Sequence, residues 1–360
     1  MLISSETSEV LEKSVAERRE TYCSGLYLSA RWFVLSQICK SGLQVIVLPD
    51  KDSAEYCAAD LYNLVEGDKV FFLPDSGKNV ERSNYKSSLA VQRTAAVGSI
   101  IADKDNAELL YIVTYPEALE EMIPDKTRIS GALLTLKKDQ TISFDEIVNR
   151  LTSNNFFRVD FVSAPGQFSI RGSIIDIFSY SFNNPYRISF FGNEIEKINV
   201  FDCNTQLSKE EKDSADIFPD IIADDENGTS DIMVSDIFPS DAVVWLDSSD
   251  VYKERSFYEG LSRFRRVYID TPLSCTNVDP IKFNIAPQPV FNKNFELLTE
   301  DIRSRLERGY RVCIFAEKES QADRLKSVLY QNEGVMPEFI AGKNIHRGFI
   351  DNENKICCYT

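Results

Sequence analysis

Histidine is almost missing from this sequence: His346 is the only one in 360 residues. A metal centre built on imidazoles is therefore excluded, and a nucleophilic triad with a histidine base would have to use this single ring. Cations are also scarce. The chain has 40 Lys and Arg against 56 Asp and Glu, a formal charge of −16. That balance argues against a broad nucleic-acid-binding surface, because neutralising phosphates takes clustered Lys and Arg. No run approaches the ~18 apolar residues of a membrane span, and the charged first twenty residues contain no apolar signal core. None of the eight cysteines (Cys23, Cys39, Cys57, Cys203, Cys275, Cys313, Cys357 and Cys358) forms a C-x-x-C pair. Most lie in apolar runs such as Val312-Cys313-Ile314-Phe315. They read as small buried thiols in a reducing cytoplasm rather than as a disulfide framework or a metal cage.

What is present is a globular composition, 43% hydrophobic and 27% charged, over a length that suits two or three domains. Short apolar runs alternate with helical periods in the first third. Val45–Leu48, Val70–Leu73 and Leu109–Val113 read as buried strands, with helical patterns through Leu64 and from Ser87 to Ile101. Continuous β-branched and aromatic runs of this kind indicate a parallel α/β sheet covered on both faces. From about Gly131 the texture changes. A capping pattern, Ser143-x-x-Glu146, announces a helix, and strands with alternating character follow at Phe157–Val162, Phe168–Phe178, Tyr186–Phe191 and Ile195–Phe201. The acidic stretch holding Asp213, Asp216, Asp220, Asp224, Asp225 and Glu226 reads as a solvated linker, since no oxygen-ligand spacing accompanies it. The α/β signal returns at Val243–Leu246, in the helical stripe Phe295, Leu298, Ile302 and Leu306 that stops at Gly309, in Val312–Ala316, and in the stripe Ala322, Leu325 and Leu329. The chain ends inside a strand-like run, Ile356–Thr360, which reads as a piece of a longer protein. The expected plan is a parallel-sheet α/β domain in two parts, residues 1–130 and 220–360, interrupted at 131–219 by a small α+β antiparallel insert.

Two segments carry chemistry. A phosphate loop needs glycines for the backbone to close around phosphates, a Lys to reach them and a Ser or Thr for magnesium. Gly25-Leu26-Tyr27-Leu28-Ser29-Ala30-Arg31-Trp32 keeps only Gly25 of that pattern. Ala30 stands at the second glycine, Arg31 at the lysine and Trp32 at the hydroxyl residue, so no nucleotide hydrolysis is expected here. The one tight basic run, Arg263-Phe264-Arg265-Arg266, has the basic-aromatic composition that can grip single-stranded nucleic acid, but so short a run at a helix end reads first as a solvated surface.

The insert is more specific. It reads Val159-Asp160-Phe161-Val162-Ser163-Ala164-Pro165-Gly166-Gln167-Phe168-Ser169-Ile170-Arg171-Gly172-Ser173-Ile174-Ile175-Asp176-Ile177-Phe178, then Pro185-Tyr186-Arg187-Ile188-Ser189-Phe190-Phe191-Gly192-Asn193-Glu194-Ile195-Glu196, then Phe201-Asp202-Cys203-Asn204-Thr205-Gln206. Over about 80 residues this resembles the UvrB-like N-terminal module of bacterial transcription-repair coupling factors, and the α/β flanks agree with it in order and size. The departures are Gln167 for the usual Glu, Ser173 for a second Gly, Ser179 for Pro, and Leu207 where Arg is common.

The resemblance implies a degenerate P-loop helicase-like domain holding an insert through which UvrA is bound. It assigns the UvrA contacts to Arg171, Arg187 and Phe191. It also accounts for Gly25, Ala30, Arg31 and Trp32 as a decayed, non-functional nucleotide loop, and the short chain between Leu73 and Ser87 leaves no room for UvrB's damage-probing hairpin. It implies no catalytic residue, metal or cofactor in this chain. In a full-length relative, ATP and magnesium would serve a motor elsewhere, with RNA polymerase and double-stranded DNA as further partners, in the bacterial cytoplasm. Strand periodicity fits this assignment. Tyr186, Ile188 and Phe190 would face a core while Arg187, Ser189 and Phe191 face away. Phe168, Ile170 and Ile174 would point inward, with Ser169, Arg171 and Ser173 outward. Two arginines beside an exposed aromatic have the composition of an interface hot spot. The rival readings are a UvrB-like ATPase subunit of the excision nuclease, opposed by Ala30, Arg31 and Trp32, and a DNA-binding module using the run near Arg265.

Overall fold

The computed structural model describes residues 6–65, 69–77, 83–103, 108–181, 184–203, 205–221, 231–248, 252–270, 279–331 and 336–360. The chain divides into two compact units: Met1–Val70 with Asn106–Pro116 and Pro239–Thr360, and Phe71–Asp105 with Glu117–Phe238.

In the first unit, the continuous apolar runs become inner strands of a parallel sheet. Strands Ile281–Lys282, Glu20–Ser24, Arg265–Ile269, Val243–Asp247, Gly42–Val47 and Leu109–Thr114 lie side by side in that order, every pair parallel. Val45, Ile46, Val47, Ile112 and Val113 are fully buried, which is why these strands show no polar alternation. A second, mixed sheet follows, in the order Ile285–Pro287, Phe349–Asp351, Ile356–Tyr359, Arg311–Ala316 and Glu338–Ala341. Helix Phe295–Glu307 packs Ile302 against it. Two residues on, Gly309 takes a positive φ of 79°, the left-handed turn a helix stop requires. Phe33, on helix Ala30–Ile38, meets this second sheet edge-on at Phe315 and Phe349, with ring centroids 5.9 and 5.2 Å away.

A buried carboxylate closes this unit. Asp60, on helix Lys51–Leu64, accepts hydrogen bonds from the Ser29 hydroxyl and the His346 backbone N–H, both at 2.6 Å, and Ser29 in turn accepts from the Arg347 N–H at 3.0 Å. Burial pushes the Asp60 carboxyl up to about 6, against the pull of those hydrogen bonds. The thiols of Cys23, Cys39, Cys57, Cys313, Cys357 and Cys358 are free and buried, Cys203 is half-buried, and Cys275 lies outside the described residues. Burial pushes the Cys23 thiol up to about 12.

The second unit contains a six-stranded sheet in the order Ser208–Lys212, Glu194–Phe201, Tyr186–Phe191, Ile174–Ile177, Gln167–Arg171 and Phe157–Arg158. Neighbours are antiparallel except for the last pair. Helix Phe144–Ser153 lays Ile147 and Leu151 on one face, in a core shared with Phe168, Ile175, Ile177, Ile188 and Phe190. Its cap is the expected one, with the Ser143 hydroxyl accepting from the Glu146 N–H at 3.2 Å.

Three details differ from the sequence reading. Phe157–Val162 is a strand only at Phe157–Arg158, because the Gln167 amide oxygen draws the backbone N–H groups of Ser163 and Ala164 (2.8 and 3.1 Å) into a turn. Phe168–Phe178 is broken by a two-residue hairpin at Gly172-Ser173, where Arg171 pairs with Ile174 and only the glycine has a positive φ, 60°, as a type II′ turn requires. The acidic stretch is not a linker at its start. Ser214–Ile217 pairs with Leu134–Lys137, burying Ala215 and Ile217 while Asp216 accepts a 2.6 Å bond from the Thr135 hydroxyl. Asp224, Asp225 and Glu226 lie outside the described residues.

Gly166 is fixed by close packing. Its φ is 79°, and a Cβ there would sit 2.3 Å from the Tyr180 hydroxyl oxygen and 2.7 Å from its ring. Gly166→Ala should destabilise the second unit by about 1–3 kcal/mol, the cost of such a strained position, read from urea unfolding. A change of less than ~0.5 kcal/mol would contradict this packing. For Asp60 the folded state holds the proton more tightly than the unfolded chain, whose value is the ordinary 3.8. Its contribution is thus largest below that value and is lost as pH rises through about 6. The stability difference between wild type and Asp60→Asn should therefore move in favour of wild type as pH falls from 7 to 4. A difference that stays constant over that window would contradict the assignment.

Candidate functional site

The sheet of the second unit turns one face to its core, and the opposite face carries the charge. Its centre is Asp176, on the Ile174–Ile177 strand, with only 1% of its side chain exposed. Arg187, the residue opposite it on Tyr186–Phe191, grips it at two points: Nε to Oδ1 at 2.8 Å and Nη2 to Oδ2 at 3.0 Å. Arg171, on the other flanking strand, donates from Nη2 to the same Oδ2. The hydrogen bond to Asp176 pushes the Arg187 guanidinium further up from its already high value, so it stays charged throughout the accessible range. Gln206 completes the arrangement, its side-chain oxygen accepting from Arg187 Nη2 at 3.1 Å. The Arg187 guanidinium lies over the buried Phe201 ring at 4.2 Å, and that of Arg171 over the exposed Phe161 ring at 5.0 Å.

Of the residues singled out from sequence, Arg171, Arg187 and Phe191 share this face. Phe191 is 82% exposed, at the end of the strand whose alternate residues Tyr186, Ile188 and Phe190 enter the core. The two arginines are not on paired strands, as a simple hairpin would have them: Ile174–Ile177 runs between them. Ile174 was expected in the core, but it pairs with Arg171 and Ser189, on the charged face, while Ile175 and Ile177 are in the core. The two-residue turn restarts the alternation, and a period counted straight through Gly172-Ser173 assigns the second strand to the wrong face. Asp176, Gln206 and Phe161 were not singled out. A lone carboxylate between Ile175 and Ile177 was the legible signal for the first, because a buried charge requires partners.

In the first unit, Gly25 follows the Glu20–Ser24 strand, and helix Ala30–Ile38 begins five residues later. Gly25 has a φ of 69°, and a Cβ there would lie 2.3 Å from the Phe283 carbonyl oxygen. Ala30 and Trp32 are buried. Arg31 bonds to Asp247, the last residue of the Val243–Asp247 strand, and through Nε to the Leu28 carbonyl at 3.0 Å, with its guanidinium over the Trp32 ring. A cavity of about 260 Å³ adjoins this pair, lined also by Ser29, Tyr56, Asp60, His346 and Arg347. The run Arg263–Arg266 is a solvated helix end only at Arg263, the exposed last residue of the short helix Leu261–Arg263, and Phe264 is buried. Arg265 and Arg266 open the Arg265–Ile269 strand, where Arg265 donates to the Asp241 carbonyl at 2.7 Å and Arg266 pairs with Glu20. Among the described residues, no group of three or more His, Cys, Asp or Glu side chains is placed to hold a metal ion, and no helix is long and apolar enough to cross a membrane.

The charged face lies inside a recognisable domain: residues 134–221 match the family model described as the UvrB interaction domain. The chain is also similar to proteins named transcription-repair-coupling factor. That of Bacillus subtilis (strain 168) is 29% identical over 204 residues, 56% of this chain and 17% of the relative. That of Mycobacterium tuberculosis is 29% identical over 191 residues, 51% of this chain and 15% of the relative. That of Escherichia coli (strain K12) is 34% identical over 91 residues, 25% and 8% respectively. The chain thus matches less than a fifth of the length of these relatives. The Gly166 turn, the Asp176 cluster and the exposed Phe191 all lie inside the matched segment, so the second unit carries a UvrB interaction domain, in a chain that over about half its length is similar to transcription-repair-coupling factors.

Proposed function

We propose that this chain is a non-catalytic adaptor that presents the charged face of its UvrB interaction domain to UvrA, the damage-recognition protein of nucleotide excision repair. The observation that carries the reading is Phe191, a large apolar ring left 82% exposed beside two arginines held on one buried carboxylate. Exposed aromatics next to Arg are what interface hot spots are made of, and the rest of the chain is acidic. In a longer protein of this type, the face would recruit the excision machinery to stalled RNA polymerase. ATP, magnesium and double-stranded DNA would be handled by other regions, in the bacterial cytoplasm.

We read the first unit as a P-loop helicase-like scaffold whose nucleotide loop has decayed. The support is local. A strand, a glycine turn and a helix follow one another at the carboxyl end of a parallel sheet, the usual ligand crevice of such sheets. The position a phosphate-binding lysine would occupy holds Arg31, engaged with Asp247. Trp32 brings no hydroxyl for magnesium.

In calorimetry, the chain should bind UvrA, and Phe191→Ala should weaken that binding by about 1–3 kcal/mol, the hot-spot range, with the thermal melt unchanged because the ring is exposed. Unaltered affinity would remove Phe191 from the interface. The same preparation should hydrolyse no ATP with magnesium; turnover that disappears in Arg31→Ala would instead favour the ATPase reading.

A further inference from the structure

The two arginines on Asp176 are not equivalent. Arg187 directs its donors inward: Nε and Nη2 to the Asp176 carboxylate, Nη2 also to the Gln206 side-chain oxygen at 3.1 Å, and Nη1 toward the Gln206 carbonyl at 3.4 Å. Its aromatic neighbour, Phe201, is fully buried, and only 19% of the Arg187 side chain is exposed. Arg171 makes one hydrogen bond, from Nη2 to Asp176. Its Nε and Nη1 have no partner among the described residues, and 37% of its side chain is exposed. Its aromatic neighbour, Phe161, is 62% exposed. The one carboxylate therefore holds an inner guanidinium and an outer one.

We propose that Asp176 is the positioning residue of the contact face, that Arg187 acts through it rather than on the partner, and that Arg171 with Phe161 and Phe191 forms the contact itself. This rests on the reading of UvrA as the partner. The chemistry is direct. A bidentate Arg–carboxylate pair is geometrically rigid, so Arg187 fixes Asp176, and Asp176 fixes the outer guanidinium by one of its edges. The remaining edge of Arg171 is free to meet a carboxylate or carbonyl on the partner. Phe161 backs the same guanidinium and adds apolar area beside it. Two guanidinium groups on one carboxylate leave a net local charge of +1, so the matching surface on UvrA needs a single acidic or carbonyl group beside an apolar socket, not an acidic patch.

The test is a double-mutant cycle on affinity for UvrA, with the melting temperature of each variant recorded. Arg187→Ala should weaken binding roughly tenfold in the wild-type background and less than ~2-fold in an Asp176→Asn background, because the partner through which it acts is already lost. Arg171→Ala should weaken binding in both backgrounds, and Phe161→Ala in the wild type. The association rate should lose part of its salt dependence in Arg171→Ala and keep it in Arg187→Lys, a readout that a purely structural role does not move. Arg187→Lys should still bind weakly, since a point charge does not replace the fork. If Asp176→Asn does not fold, Asp176→Glu, which keeps the charge but displaces it by one methylene, carries the same comparison. An equal loss from Arg187→Ala in both backgrounds would overturn the proposal by making Arg187 a direct contact. A folded wild-type chain that does not bind UvrA would overturn the proposed function, and this inference with it.

Discussion

The second unit is organised around a carboxylate placed where water cannot reach it. An ionised group at 1% exposure is tolerated only when it is paired and hydrogen-bonded, and Asp176 meets that condition through arginines from both flanking strands. Several features follow from it. The residue opposite Asp176 on Tyr186–Phe191 is the arginine that grips it twice, so a one-residue slip of either strand would strand the charge and turn Ile188 away from the core. Gln206 is held at a positive φ of 61° with both its oxygens toward Arg187. The hairpin glycines Gly172 and Gly192, each at positive φ, keep the strand ends tight enough that Phe191 stands at the rim.

The first unit uses the same physics to a different end. Asp60 and Asp247 are carboxylates that burial pushes upward from their ordinary range, and each ties distant chain segments together: Asp60 holds the Ser29 hydroxyl and the His346 backbone, and Asp247 holds Arg31. The lone histidine of the sequence takes part through its backbone N–H, while its ring stacks on Tyr56. Burial and the neighbouring Arg347 push that ring below its ordinary range. In the second unit the buried carboxylate displays a cation at the surface; in the first, the carboxylates close a crevice.

Much of this was legible in the sequence because it rests on local periodicity. Buried parallel strands such as Gly42–Val47 show themselves as unbroken apolar runs, and Tyr186–Phe191 alternates so cleanly that the outward position of Phe191 follows from counting by two. What escaped was non-local. No local pattern says that Asp176 collects arginines from two strands at once, or that Arg31 pairs with Asp247, 216 residues away. The Gly172-Ser173 turn reset the alternation and moved Ile174 to the charged face. The acidic residues near Asp216 looked like a linker because their charge outweighed the period-two placement of Ala215 and Ile217. Even so, Asp176 left a trace: a single charge inside an apolar strand is costly enough that it should have been matched at once with the nearest outward-facing arginines.

Whether a partner covers the rim around Asp176 can be measured directly. Hydroxyl-radical footprinting of the folded chain with and without UvrA reads the exposure of each aromatic side chain. Phe191 and Phe161 should lose reactivity in the complex, while Phe295, 41% exposed in the other unit, keeps its own. A complex in which Phe191 and Phe161 oxidise as readily as in the free chain would contradict that expectation.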